Sequence, residues 1–245
     1  MPYTALVTGA DRGLGYALCA GLLAQGWQVF AGQYMPTWPE LTALYDRYPA
    51  NLTITLLDVS DENSVQRAAR QVEATGVHLD MLINNAGVLA PDSYNTIRQT
   101  QNYAEMQRVF EVNALGPLRM VQAFLPLMAH STLKRLCFVS SEAGSVGRSR
   151  RVGWYGYCMS KAALNMMVKN LFNELRPEGY TFRLYHPGWI RSYMSGVKNL
   201  EAKLEPEEAA ALALRYFLAT QMPDGSAFDE DHLALRDYEW KKWRW

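Results

Sequence analysis

The sequence lacks an excess of charge of either sign, paired cysteines and long apolar runs. Lys plus Arg and Asp plus Glu number 24 each in 245 residues, for a formal net charge of zero, so no overall field draws in nucleic acid or an anionic membrane. The three cysteines, Cys19, Cys137 and Cys158, are an odd number without metal-ligand spacing. That argues against a disulfide framework and against a bound metal, and for reduced thiols in the cytoplasm. No run approaches the ~18 apolar residues that a membrane span needs, and no basic segment followed by an apolar core opens the chain. The expectation is a soluble cytoplasmic protein without nucleic-acid or membrane partners. Repeats and low-complexity tracts are also missing, and the length fits one domain over residues 1–245 with a sizeable core.

Apolar, β-prone runs alternate along the chain with helix-like segments. Strands are expected at residues 3–7, 27–31, 52–57, 81–84, 134–140, 181–185 and 226–228. Between them, helices are expected at 16–25, 39–48, 60–76, 103–128, 160–176 and 205–220. The third has Ser60 as its cap, the fourth is interrupted at Asn113 and Gly116-Pro117, and the last opens on Glu205-Pro206-Glu207-Glu208. Such alternation predicts an α/β fold, a single Rossmann-like doubly wound parallel sheet of about seven strands with helices on both faces.

Two stretches carry chemistry. The run Thr8-Gly9-Ala10-Asp11-Arg12-Gly13-Leu14-Gly15 joins the first strand to the first helix, where glycines let a backbone approach a pyrophosphate and let helix pack on strand. A tight turn alone can require the same glycines. Farther on, Tyr157 and Lys161 are four residues apart at the start of a helix-prone run, with Ser140-Ser141 ahead of them. Positions i and i+4 share a helix face. A phenol with a pKa of about 10 serves in proton transfer when a neighbouring ammonium stabilises its phenolate.

Together with Asn84-Asn85-Ala86-Gly87, Asn113 and Pro187-Gly188, these stretches resemble the short-chain dehydrogenase/reductase family, from Tyr3 to about Met194. Trp154-Tyr155-Gly156-Tyr157 and His186-Pro187-Gly188-Trp189 are similar to its C-factor and sniffer-type carbonyl reductase branch. The resemblance implies hydride transfer between a nicotinamide and a carbonyl or alcohol substrate. Tyr157 is then the acid or base, Ser141 orients the reacting oxygen, Lys161 tunes Tyr157 and holds the ribose, and Asn113 holds a water on the proton path. It also implies a dinucleotide bound by Gly9, Asp11, Arg12, Gly13, Leu14 and Gly15, by Asp58 and Val59 at the adenine, by Asn85, Ala86 and Gly87, by Tyr157 and Lys161, and by Pro187, Gly188, Trp189 and Ile190. Residues 189–200 would form a substrate lid, and a homo-oligomer is expected.

The end of the second strand, Ala31-Gly32-Gln33, has no acid to hold the ribose of NAD, and Arg12 adds a cation. NADP(H) is therefore favoured, with NAD(H) as the alternative. Other readings stay open: Arg12 as a solvated turn residue, Asn113 as a structural partner, Arg148-Ser149-Arg150-Arg151 as a solvated loop or as the source of an arginine that receives a substrate carboxylate or phosphate, and the tail from Trp240 to Trp245 as packing on the body or at a subunit interface. The competing functions are an NADP(H)-binding regulator with little catalysis and an NAD-dependent alcohol dehydrogenase. Trp154, Tyr155, Trp189 and Tyr193 suggest an apolar or aromatic carbonyl substrate, which the fold alone cannot choose.

Overall fold

The structure is a computed structural model that describes residues 2–194 and 196–244. Met1, Ser195 within the expected lid and Trp245 at the end of the tail lie outside the described residues. The strands are β1 (Thr4–Val7), β2 (Gln28–Gln33), β3 (Leu52–Leu56), β4 (Met81–Asn84), β5 (Arg135–Val139), β6 (Thr181–His186), β7 (Leu235–Asp237) and β8 (Lys242–Trp243). The helices are α1 (Gly13–Ala24), α2 (Glu40–Arg47), α3 (Glu62–Glu73), α4 (Tyr103–Phe110), α5 (Gly116–Met128), α6 (Tyr155–Leu175) and α7 (Pro206–Phe217). Among the described residues no helix is long and apolar enough to cross a membrane.

One eight-stranded sheet runs in the order β3-β2-β1-β4-β5-β6-β7-β8, parallel except for the β7–β8 pair. The expected seventh strand at 226–228 is corrected. Phe228 N donates to Thr220 O and Ala227 forms only an isolated bridge to Gln221, so this segment folds back after the turn at 223–225 without joining the sheet, which continues through β7 and β8. The period of two in the strands sorts the core into two layers. Ala5 and Val7 of β1 join Leu18 and Leu22 of α1 and Leu214 and Phe217 of α7 on one face. Leu6 of the same strand joins Val65 of α3, Phe124 of α5 and Val168 of α6 on the other.

The chain builds outward from β1 to β3, then returns across the sheet to β4. This reversal opens a crevice at the carboxyl ends of β1 and β4, where open parallel sheets receive ligands. The expected helix over 103–128 is broken as its proline requires. Pro117 has no N–H for the carbonyl four residues back, and a π-helical turn, Glu111–Leu115, separates α4 from α5. Asn113 sits in that turn.

Candidate active site

Beyond β1 the chain turns through Gly9 and Gly13, at φ +64° and +57°, which favour glycine. Thr8 Oγ1 accepts hydrogen bonds from Asn85 N at 3.0 Å and Ala86 N at 2.9 Å, and Asn85 Nδ2 donates to Thr8 O at 2.9 Å. A Cβ on Gly15 would run into the carbonyl oxygen of Gly9, and one on Gly9 would lie 2.9 Å from Ala86 Cα. These glycines therefore serve the lacing of β1 to β4. Arg12, in extended conformation, gives α1 no side-chain cap. The first-turn N–H groups at Gly13, Leu14 and Gly15, which line the cavity, are thus left for an anion.

Asp11 is buried and accepts from Met35 N at 2.9 Å, binding the turn to the end of β2. Burial raises its pKa above the usual carboxylate value, against the pull of that hydrogen bond and of Arg12. Arg12 donates from Nη1 to Met35 Sδ at 2.7 Å and stacks with its Cζ 4.5 Å from the Trp38 ring centroid and 6.0 Å from that of Tyr193. Asp58 accepts from Ser60 N at 2.8 Å and Ser60 Oγ at 2.6 Å, with Val59 buried beside it.

At the other end of the crevice, Ser141 follows β5 and its Oγ accepts from Ala143 N at 3.1 Å. Tyr157 lies in the first turn of α6, buried, and lines the same cavity as Ser141. Burial pushes its phenol up to about 12, with Ser141 and Arg151 pulling the other way. Lys161, one turn on, has its Nζ 5.8 Å from the Tyr157 ring centroid and donates to Val139 O at 3.0 Å. Burial alone lowers its ammonium to about 8. In this state desolvation outweighs any lowering of the phenol by the lysine.

Asn113 is fully buried behind the cavity. Its Oδ1 accepts from Val88 N at 2.8 Å, and its Nδ2 donates to Val88 O at 2.9 Å and Ser160 Oγ at 3.1 Å. A Cβ on Gly87 would lie 3.5 Å from Asn113 Oδ1 and 3.7 Å from Lys161 Nζ, in ordinary contact, so this glycine marks where Asn113 and Lys161 approach the cavity wall. Sequence reading missed Ser160, which also donates to Tyr157 O at 2.8 Å. It also missed Asn165, which accepts from Ser140 Oγ at 2.6 Å and donates to Gly144 O at 3.1 Å. Both lie on the face of α6 that carries Tyr157 and Lys161, so polar residues at that helical spacing were the available signal.

Except for Asn113, every residue to which the resemblance assigns a catalytic or dinucleotide-binding role lines one cavity of about 820 Å³, from the glycine turn through Tyr157 to Pro187, Gly188, Trp189 and Ile190; of the four aromatics, Trp154, Trp189 and Tyr193 line it and Tyr155 does not. Gly188 adopts φ +82°, and a Cβ there would lie 2.7 Å from the Tyr238 ring. His186 also lines the cavity. Burial lowers its pKa, and its ring meets Trp243 edge-on at 5.7 Å. The arginine run divides, since Arg151 lines the cavity and pairs with Glu142, while Arg148 lies 5.3 Å over Trp243. The tail packs on the body: Trp243 Nε1 donates to Asp237 Oδ2 at 2.9 Å, and Ser145 Oγ donates to Arg244 O.

The chain belongs to the short-chain dehydrogenase family, and a family profile described as short chain dehydrogenase matches residues 3–203. It is an oxidoreductase of that family. The C-signal protein of Myxococcus xanthus is 45% identical over 118 residues, 48% of this chain and 69% of that one. An NADPH-bound carbonyl reductase from chicken fatty liver superposes with a TM-score of 0.85 at 29% identity, covering 100% of both chains. The carbonyl reductase Sniffer of D. melanogaster gives 0.86 at 22% identity over 100% of both chains, a likeness of fold.

Proposed function

We propose that the chain catalyses reversible NADP(H)-dependent hydride transfer between a nicotinamide and a small carbonyl or alcohol compound, with Tyr157 as general acid and base. The observation that carries this reading is a buried phenol sharing a cavity with Ser141, one helical turn from a buried ammonium that has no carboxylate partner among the described residues, in the cavity that also receives the uncapped start of α1.

The residues fit a dinucleotide. The first-turn N–H groups of α1 suit its phosphates, and Arg12 adds positive charge near the end of β2, where Gln33 stands in place of an acid. NADPH in the chicken relative supports the same preference. Asp58 would face the adenine and Lys161 the ribose, and the turn from Pro187 to Ile190 would hold the carboxamide. When bound, the nicotinamide supplies or accepts the hydride.

In reduction the Tyr157 hydroxyl gives its proton to the carbonyl oxygen, and Ser141 Oγ donates a hydrogen bond to that oxygen as charge builds on it. A phenol held near 12 is protonated at neutral pH, the form reduction requires. The Lys161 ammonium then stabilises the phenolate left behind. Oxidation needs the phenolate at the outset, so its rate rises with pH toward the Tyr157 pKa. Asn113 would connect Lys161 to solvent through water. Trp189 and the residues after it would close over the substrate as a lid.

The test compares quenching of tryptophan emission by NADPH and NADH, then follows NADPH oxidation with a panel of aldehydes, ketones and quinones. The expected result is tighter binding of NADPH and turnover of at least one apolar carbonyl compound. Binding of neither dinucleotide would reject the reading.

A further inference from the structure

Trp154 stands directly before α6 in the left-handed conformation, at φ +57°, following Gly153 at φ +76°. A non-glycine residue there is strained and persists only where its surroundings fix it. Three contacts do so. Trp154 N donates to Ser93 O at 2.6 Å, the Tyr94 ring meets the indole edge-on at 4.9 Å, and the Arg151 Cζ lies 4.6 Å from the indole centroid. The indole in turn meets the Tyr157 ring edge-on at 5.9 Å. Arg151 is anchored at its far end by an ion pair with Glu142, the residue after Ser141.

We propose that Arg151 is a positioning residue of the proton-transfer centre: fixed by Glu142 and laid on Trp154, it holds the indole against Tyr157 and brings positive charge to the phenol side of the cavity. The inference rests on Tyr157 being the acid and base. Glu142 offsets only part of the guanidinium's charge, and the wall so built is mainly aromatic, suited to flat, uncharged carbonyl compounds.

Charged or titratable groups that line the same cavity include Arg108 from α4, itself paired with Glu105 at 2.9 Å, Lys161 on the helix of Tyr157, His186 at the end of β6, Tyr94 against Trp154, Tyr34, Tyr193 and Glu201, with Asp11, Arg12 and Asp58 toward the glycine turn. Cys158 adjoins Tyr157 in the chain. Arg151 lowers the Tyr157 pKa, whereas Glu142 and Cys158 raise it.

The experiment measures kcat/KM for alcohol oxidation against pH, with KM for a flat aromatic ketone in the reverse direction. It uses wild type, Arg151→Met, Arg151→Lys, Glu142→Gln and Tyr157→Phe, each confirmed as folded by circular dichroism. Removing the cation disfavours phenolate. Arg151→Met is therefore expected to move the profile's midpoint up and to raise KM several-fold. Arg151→Lys keeps the charge but not the planar stack, so it should restore the midpoint and leave KM high. Glu142→Gln should move the midpoint down. A folded Arg151→Met with the wild-type midpoint, or Arg151→Lys displaced as far as Arg151→Met, would overturn the proposal while inactive Tyr157→Phe upholds the acid–base reading. An active Tyr157→Phe would overturn both.

Discussion

Lys161 and Arg183 are both basic side chains in the interior, and their surroundings are opposite. Arg183, in the middle of β6, is fully buried. It donates to both oxygens of Glu230, at 2.8 and 2.6 Å, to the carbonyls of Tyr216, Phe182 and Ala219, and lies 3.6 Å over the Phe228 ring. Arg135 shares Glu230 and also donates to Phe217 O at 2.8 Å, so two guanidiniums clasp the chain at and just beyond the end of α7. Lys161 has three donors and, among the described residues, one hydrogen bond, to Val139 O. A buried ion is tolerated when its donors are matched, and one left unmatched beside a cavity marks a place prepared for something else. Arg183 belongs to the architecture, and the proposed function assigns Lys161 to the chemistry.

Substitutions can break this contrast. The largest effect is expected at Lys161: Lys161→Met should reduce carbonyl reduction by about 10²–10⁴-fold and weaken dinucleotide binding, while the melting temperature holds or rises because a desolvated charge is gone. A fall in melting temperature would mean that Lys161 is structural after all. Arg183→Met should do the converse, destabilising the fold by about 3–5 kcal/mol in chemical denaturation because Glu230 loses its main partner. Unchanged stability there would erase the distinction.

The smallest effect is in pH dependence. The folded pKa of Lys161, about 8, lies below the ordinary lysine value of 10.5. Between them the unfolded chain binds the extra proton, and stability therefore rises with pH across that window. Tyr157 acts in the opposite sense, but only above about 10, where an unfolded phenol ionises. The unliganded wild type should thus gain stability relative to Lys161→Met between about pH 8 and 10. Parallel curves for the two proteins would refute the assignment of the buried charge.

The two regions also differ in how far the sequence revealed them. The half from β1 to β5 was legible because its strands are apolar runs closed by turn residues and its glycines have conformational or packing reasons. Beyond β6 the signal fades. β7 is three residues, Leu-Arg-Asp, and β8 is two, Lys-Trp. Their pairing is set by Asp237, which accepts from Trp243 Nε1 and from Lys241 N at 3.0 Å, a contact that no periodicity announces.

Within the site, residue identities were readable and several partnerships were not. Asp11 binds Met35 N, Arg12 lies on Trp38, and the Asn113 amide is engaged by Val88 and Ser160. Each partner comes from a distant part of the chain or another element. The Tyr157 pKa follows the same logic, since its direction depends on desolvation that only packing creates.

The most direct measurement of the central claim is made on Tyr157→Phe, with NADPH binding and carbonyl reduction followed in the same preparation. The account expects binding near the wild-type level and turnover reduced by about 10²–10⁴-fold. Turnover at the wild-type rate would contradict it.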